Sequence, residues 1–410
     1  MVDYVLRTFE CGKIEEGILR YCGKGIHQEE DFSIRVTCKA TTLKMRPIVI
    51  KHGRKATDAL NAEEKSQMKS VAGSLRWITR QCRPTLAYRT SKVQSSSAKG
   101  MVRDLKEANK TIDYAIRTAD KGIYFKSGIL DWDNMVLCCV SDASHGNETE
   151  HVGGKAESHR SQGGRLQILA TPEPESGEDV HFHVVGIASH ILKRVCRATI
   201  QAEAYAPQTC VESGNRIRAA IADLRGELDP KHWEATAART MRQIWLTDCM
   251  RVYRSLTMST MAKMFCKRLS VKVASLRQSL WRKPGEAQGD DRTMDDVPKD
   301  TVDKCRWIDT AIMLADPLTK VMEPWKLDEA LETNYWSLKQ PIDSIMKKRA
   351  KHIQRRKTKD DMATIPEEEE VDHANDYHVV QEEVLDEEEL VTEQEYQHAY
   401  YSNRGTSSVS

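Results

Sequence analysis

Apolar positions along this chain change period several times, and each change marks a boundary between elements. ILRYCGKGI and DFSIRVTCKA each alternate apolar and polar residues in the period of a half-buried strand. Separated by an acidic connection, they predict a first hairpin. From Asn61 the period lengthens: Met68, Val71, Ala72, Leu75 and Ile78 recur at helical spacing. Asn61 and Glu64 stand in capping-box relation at its start, and Pro84 closes the element. The serine-rich SKVQSSSAKG separates this helix from a second around DLKEANKTIDYAIRTAD.

A block of strand signals follows. IYFKSGIL, MVLCCVSDAS, GRLQILAT and HFHVVGIASHIL are short, β-rich and bounded by Gly, Pro or polar clusters. A long helix is predicted from about Thr199 to Leu224. IWLTDC reads as a buried strand, VYRSLTMSTMAKMF and VKVASLRQSLW as helices, KPGEAQGDDRTMDDVPKD as a loop and CRWIDTAIML as the last strand. Strands first, then strands alternating with helices, argue for a mixed-sheet α/β domain. Beyond about Lys347 apolar periodicity disappears, and EEEEVDHANDYHVVQEEVLDEEELVTEQEY reads as a disordered acidic tail.

Composition adds limits. At 410 residues there is room for two or three domains. Lys+Arg 62 against Asp+Glu 61 names no partner, but the average conceals a basic run, KKRAKHIQRRKTK, followed by the acidic tail. Without that tail the body is basic, which permits nucleic-acid contact. Within the run, Lys347, Lys348, Arg349, Arg355, Arg356 and Lys357 are candidate phosphate contacts, a nuclear-localisation signal, or the solvated end of a helix. Eleven cysteines are scattered with no CxxC and no zinc-finger spacing, which argues against zinc and suits a reducing compartment. No apolar segment reaches signal-peptide or membrane-span length. The expectation is an intracellular protein, cytoplasmic or nuclear and not secreted, without a membrane partner or a small-molecule cofactor.

Four carboxylates carry the candidate chemistry. Asp142 ends the apolar run MVLCCVSD and Asp248 ends QIWLTD, both at the carboxyl edge where α/β active sites gather. Glu203 lies in the first turns of the long helix, and Asp316 follows the last strand in MLADPLTK. Three strand-edge Asp residues and one helical Glu suit hard divalent cations, which prefer oxygen ligands. Two such ions about 3.5–4 Å apart activate water and stabilise the leaving oxygen of a phosphodiester. Each residue also has a plainer reading. A strand-terminal Asp commonly caps a turn, Glu203 favours the helix dipole, and Asp316 can open a short helix ahead of Pro317.

The order of these residues gives a resemblance. SDAS around Asp142 stands in the place of the Asp-Ala-Asp strand of copia-type retrotransposon Pol polyproteins. RATIQAEAYA resembles that family's Ser-Ser-Thr-Glu-Ala-Glu-Tyr helix start, LTDC its Cys-Asp-Asn strand end, and MLADPLTK its Leu-Ala-Asp-x-Leu/Phe-Thr-Lys signature. Upstream, SVAGSLRWITRQCRPTLAYRTSKVQ is similar to the segment that follows the reverse-transcriptase palm. The resemblance covers roughly residues 5–322. It implies a reverse-transcriptase-derived α+β segment over 1–98, a helical connection over 99–128, and an RNase H-like domain over 129–325. A helical and basic segment over 326–358 and the acidic tail over 359–410 complete the division.

Asp142, Glu203, Asp248 and Asp316 would then hold two Mg²⁺ ions, with Mn²⁺ as a substitute, and cleave the RNA strand of an RNA–DNA hybrid. No adjacent-aspartate pair lies in a strand, so no polymerase palm is expected, though a separate polymerase subunit is a conceivable partner. The polar stretches ETEHVGGKAESHRSQ and PEPESGEDV read as insertions, which cost little in closure entropy. Pro207, four residues beyond Glu203, costs about 3 kcal/mol in a helix interior. Either the helix begins near Gln201 or the site has decayed into a binding module or relic. Of the remaining candidates, His181, His183 and His190 read as strand-face histidines rather than a metal site. Ser141 and Ser144 near His145 lack a nucleophile elbow, and Trp245 and Trp307 read as core.

Overall fold

ILRYCGKGI, expected as one strand of a hairpin, is itself a hairpin. Cys22 and Gly23 both adopt left-handed backbone, φ 48° and 81°. That turns the chain in two residues between β1 (Ile18–Tyr21) and β2 (Lys24–Gln28). β3 (Ile34–Thr37) pairs antiparallel with β2, and β4 (Gly122–Phe125) with β3. IYF therefore closes this four-stranded sheet, whereas the sequence reading placed it in the block of strands that follows. The computed structural model describes residues 7–8, 17–152, 155–175, 177–258, 266–282 and 301–339, all within a unit spanning Met1–Arg349.

Between β3 and β4 lie the helices α1 (Lys39–Thr42), α2 (Ala62–Gln81), α3 (Ala87–Ser96) and α4 (Val102–Arg117). The capping box expected at Asn61 is present. Asn61 Oδ1 accepts from the Glu64 N–H at 2.8 Å, and the Glu64 carboxylate accepts from the Asn61 N–H at 2.9 Å. Met68, Leu75 and Ile78 of α2 pack against Leu105, Ile112 and Ala115 of α4 and Ile123 of β4, in a core of their own. The serine-rich patch is mostly helical rather than a spacer. Tyr88, Thr90, Ser91 and Val93 of α3 are buried, and the Ser91 hydroxyl accepts from Gln162 Nε2 at 2.9 Å. Buried and bonded, the Ser91 hydroxyl ties helix to sheet, whereas Ser95 and Ser97 bond back to the Lys92 and Gln94 carbonyls of the helix itself.

The larger sheet contains β5 (Val136–Val152), β6 (Lys155–Ala170), β7 (Val180–Ile191), β8 (Gln243–Thr247), β9 (Lys304–Trp307) and β10 (Tyr335–Trp336). Their spatial order is β10-β7-β6-β5-β8-β9. β5, β6 and β7 run antiparallel in sequence, and β8 and β9 add parallel to β5. The helices α5 (Thr199–Leu224), α6 (Trp233–Thr240), α7 (Met250–Thr257), α8 (Lys267–Leu280) and α9 (Trp325–Thr333) flank it. The mixed α/β class is as the pattern predicts.

Both faces of this sheet are covered, and for that reason MVLCCV is apolar throughout rather than alternating. Val136, Cys138 and Val140 meet Leu314, Leu318 and Leu331 on one face. Cys139 and Trp245 meet Ala204, Cys210, Val252 and Leu276 on the other. Trp245 is thus core, as expected.

Two further boundaries differ from the reading of the sequence. β5 does not end at Asp142 but runs on to Val152, so the stretch taken for a polar loop pairs with β6 as the far end of a long hairpin. Its polarity fits that geometry, since a ladder satisfies the backbone without requiring a buried face. The strand expected over CRWIDTAIML, which β10 follows in the chain, stops at Trp307. Asp309 then accepts from the Ala311 N–H at 2.8 Å and opens a 3₁₀ turn over Thr310–Ile312. α5 spans Thr199–Leu224 as its period predicts, not from near Gln201 as one reading of Pro207 had it, and continues unbroken through that proline. Lacking an N–H, this proline leaves the Glu203 carbonyl without its helical donor. The 283–300 loop, the basic run with Lys347, Lys348, Arg349, Arg355, Arg356 and Lys357, and the acidic tail lie outside the described residues. Among the described residues no helix is long and apolar enough to cross a membrane.

Candidate metal centre

Asp142 on β5 and Asp248 just beyond β8 come from adjacent parallel strands, so strand pairing alone sets them side by side. Glu203, in the first turns of α5, closes the third side. One carboxylate oxygen from each of the three lies within 4.8 Å of the others. Asp142 and Glu203 are buried and Asp248 is partly so.

Neighbouring groups hold each ligand in place. The Thr319 hydroxyl donates to Asp142 Oδ2. The Thr310 side chain hydrogen-bonds the Asp248 carboxylate, while Trp307 Nε1 donates to the Asp248 backbone carbonyl at 2.9 Å. Half-buried Trp307 is therefore a brace as well as packing. The Ala143 N–H hydrogen-bonds the Glu203 carboxylate. Glu203 Oε2 is buried and has no hydrogen-bond partner. Such an orphaned oxygen is costly unless a cation meets it.

The electrostatics agree. Burial, reinforced by the charges of Asp142 and Asp248, pushes Glu203 up to about 9. Asp142 is raised by burial and then by Asp248, and Asp248 chiefly by burial, against the bond from Thr310. Asp316 is raised to about 6 by burial and by Asp142. Acid groups held this close and this dry resist ionising together, and a divalent cation is the natural counter-charge. A hard, all-oxygen donor set of this kind can hold a metal ion such as Mg²⁺ or Mn²⁺.

Asp316 stands beside the trio, not in it. It is the first residue of the 3₁₀ turn Asp316–Leu318, whose cap is Ala315, so the short helix of the plainer reading is present but Asp316 lies in it rather than capping it. Its carboxyl hydrogen-bonds Asp142, and its Oδ1 pairs with Lys320 Nζ at 2.7 Å. The segment carrying it is pinned from two strands. Ser144 Oγ donates to the Thr319 carbonyl at 2.9 Å and Ser189 Oγ to the Leu318 carbonyl at 2.6 Å. Gly164, paired with Asp142 across the ladder, makes room for it. A Cβ there would lie 2.8 Å from both Leu318 Cβ and Thr319 Cγ2.

The other candidates have structural partners. Ser144 is used as above, and His145 Nε2 bonds the Cys196 carbonyl at 3.0 Å. His183 meets the Lys126 carbonyl and the edge of Phe125, whereas His181 lies against Tyr335. Among the described residues no histidine enters a metal-capable group, and the described cysteines are free thiols. Sequence reasoning missed Thr310, Thr319 and Lys320. The last two lie in the quoted MLADPLTK, but their partners are distant in the chain. The chain matches no family model and no curated protein.

Proposed function

We propose that this chain is a divalent-metal-dependent nuclease of RNase H type, derived from a copia-type retrotransposon Pol polyprotein, that hydrolyses the RNA strand of RNA–DNA hybrids and does not polymerise. One observation carries the reading: Asp142, Glu203 and Asp248, far apart in sequence, present ligand oxygens within 4.8 Å of one another. Support also comes from the sheet, in which three antiparallel strands lead and two parallel strands extend the first. In that arrangement Asp142 on β5 and Asp248 just beyond β8 come from adjacent parallel strands, with Glu203 on the helix that lies between those strands in sequence. The order Asp142, Glu203, Asp248, Asp316 and the residues of MLADPLTK add the resemblance described above.

A divalent cation at the trio would supply Lewis-acid activation of water and neutralise charge at the scissile phosphate. The protein's own part is to hold three acids ready. Burial keeps competing water away from Glu203, the Thr319 hydroxyl fixes the rotamer of Asp142, and Thr310 with Trp307 fixes the end of β8. The two-ion, four-ligand arrangement implied by the resemblance has three ligands in the cluster and Asp316 one hydrogen bond away.

The test is cleavage of a labelled RNA–DNA hybrid in Mg²⁺, with Asp142→Asn and Asp248→Asn alongside. Cleavage by the wild type that is lost in both variants is the expected result. A folded wild type that leaves the hybrid intact defeats the proposal.

A further inference from the structure

We infer that Lys320 occupies the place of a second cation, so that the centre binds one divalent ion rather than two. This rests on the metal-centre reading above but not on hybrid cleavage. Lys320 Nζ lies 2.7 Å from Asp316 Oδ1, and its charge also acts on Asp142, Asp248 and Glu203. An ammonium in that position neutralises the fourth carboxylate and repels a divalent cation that approaches the Asp142–Asp316 side. The ligand geometry divides in the same way. Asp142, Glu203 and Asp248 form one metal-capable group, and Asp316 stands outside it, with Lys320 against its Oδ1 and its carboxyl hydrogen-bonded to Asp142.

The orphaned Oε2 of buried Glu203 marks where the single ion has a ligand waiting. On the other side the buried Oδ1 of Asp316 also lacks a hydrogen bond, but a counter-charge is already beside it, with Lys320 Nζ 2.7 Å away. Lys320 is held there by its own turn. It lies four residues beyond Asp316, and the carbonyls of Leu318 and Thr319, just before it, accept from Ser189 and Ser144. A lysine on a freely moving loop would not define a site. This one follows directly on a segment bonded to β5 and β7. Lys320 is thus a positioning residue that sets metal stoichiometry.

Mn²⁺ titration of the full chain, read by electron paramagnetic resonance and equilibrium dialysis, tests this. The wild type is expected to bind one ion per chain with the spectrum of an isolated centre. Lys320→Met is expected to bind two, with the signature of a spin-coupled pair, and Asp316→Asn to keep its single ion. Two ions in the wild type, none at all, or loss of the ion in Asp316→Asn overturns the assignment. So does a single ion in a folded Lys320→Met. Should Lys320→Met fail to fold, the wild-type count and spectrum still decide. Two ions with hybrid cleavage would sink this inference and spare the nuclease; one ion without cleavage would do the reverse.

Discussion

The Thr319 hydroxyl donates to Asp142 Oδ2 across 177 positions of sequence, and the same oxygen of Thr319 lies 3.0 Å from the Asp316 carbonyl. One side chain thus joins a central strand to the turn that carries the fourth acid. A hydrogen bond to a charged group contributes about 1.5–3 kcal/mol, and partners of metal ligands typically alter affinity by about 10–100-fold. Thr319→Val keeps the shape and removes the donor. It is expected to weaken Mn²⁺ binding about tenfold or more, measured by calorimetry, whereas Thr319→Ser retains most of the affinity. Equal affinity in Thr319→Val and wild type would show that Asp142 needs no brace.

Gly164 tests the same junction by volume. Its missing Cβ is the space into which Leu318 and Thr319 fit, with the Ala315 carbonyl 3.3 Å from where the Cβ would stand. Gly164→Ala must displace the turn, since the obstructing atoms lie at or next to the backbone rather than at the end of a flexible chain. Overpacking of this kind costs about 1–3 kcal/mol. The expected result is a lower melting temperature together with weaker Mn²⁺ binding. A variant less stable but unchanged in affinity would detach the glycine from the metal centre.

Glu203 makes stability depend on pH in a stated direction. Its folded pKa is raised from 4.5 to about 9, so its contribution is fully present below the lower value and is lost as pH rises towards the higher one. In a chelator, wild-type stability is therefore expected to fall between pH 5 and pH 8, by several kcal/mol at most. Glu203→Gln, neutral throughout, should show a shallower slope and exceed the wild type at pH 8. Mn²⁺ should restore the wild type there and do little for the variant. Urea unfolding at the two pH values, with and without the ion, reads all four quantities. Parallel slopes for the two proteins would contradict the burial of a charged Glu203.

What could be read in advance follows the range of the interactions. The α2 capping box spans three residues and was legible, as were β5 and β8, whose apolar runs announce a sheet covered on both faces. The candidate acids were legible because their types and order mattered, not their contacts. The turn at Cys22–Gly23 was missed because a cysteine rarely takes positive φ, and β4, read as a strand, was put in the wrong sheet because its partner β3 lies far back in the chain. Pro207 was weighed by helix propensity, but packing holds α5 together through it. Lys320 stood in plain view in MLADPLTK, yet nothing local says that its ammonium reaches Asp316 and the strand acids.

The buried pair Arg218–Asp303 supplies a last test, away from the acids but tied to the elements that carry them. Arg218 of α5 donates through Nη1 to both oxygens of Asp303, at 2.9 and 3.1 Å, and Asp303 Oδ1 also accepts from the Gln243 N–H of β8 at 2.7 Å. Both side chains are almost wholly buried, so α5 and β8 are locked by a charge pair shielded from solvent. Removing one partner of such a pair commonly costs about 3–5 kcal/mol. The two single variants should nevertheless differ. Asp303→Ala strands a guanidinium that cannot shed its proton, and it also orphans the Gln243 N–H. Arg218→Met leaves the Asp303 carboxylate still accepting from Gln243. Asp303→Ala is therefore expected to be the more destabilising in urea unfolding at pH 7. A larger loss in Arg218→Met would mean that the arginine, not the aspartate, organises this junction.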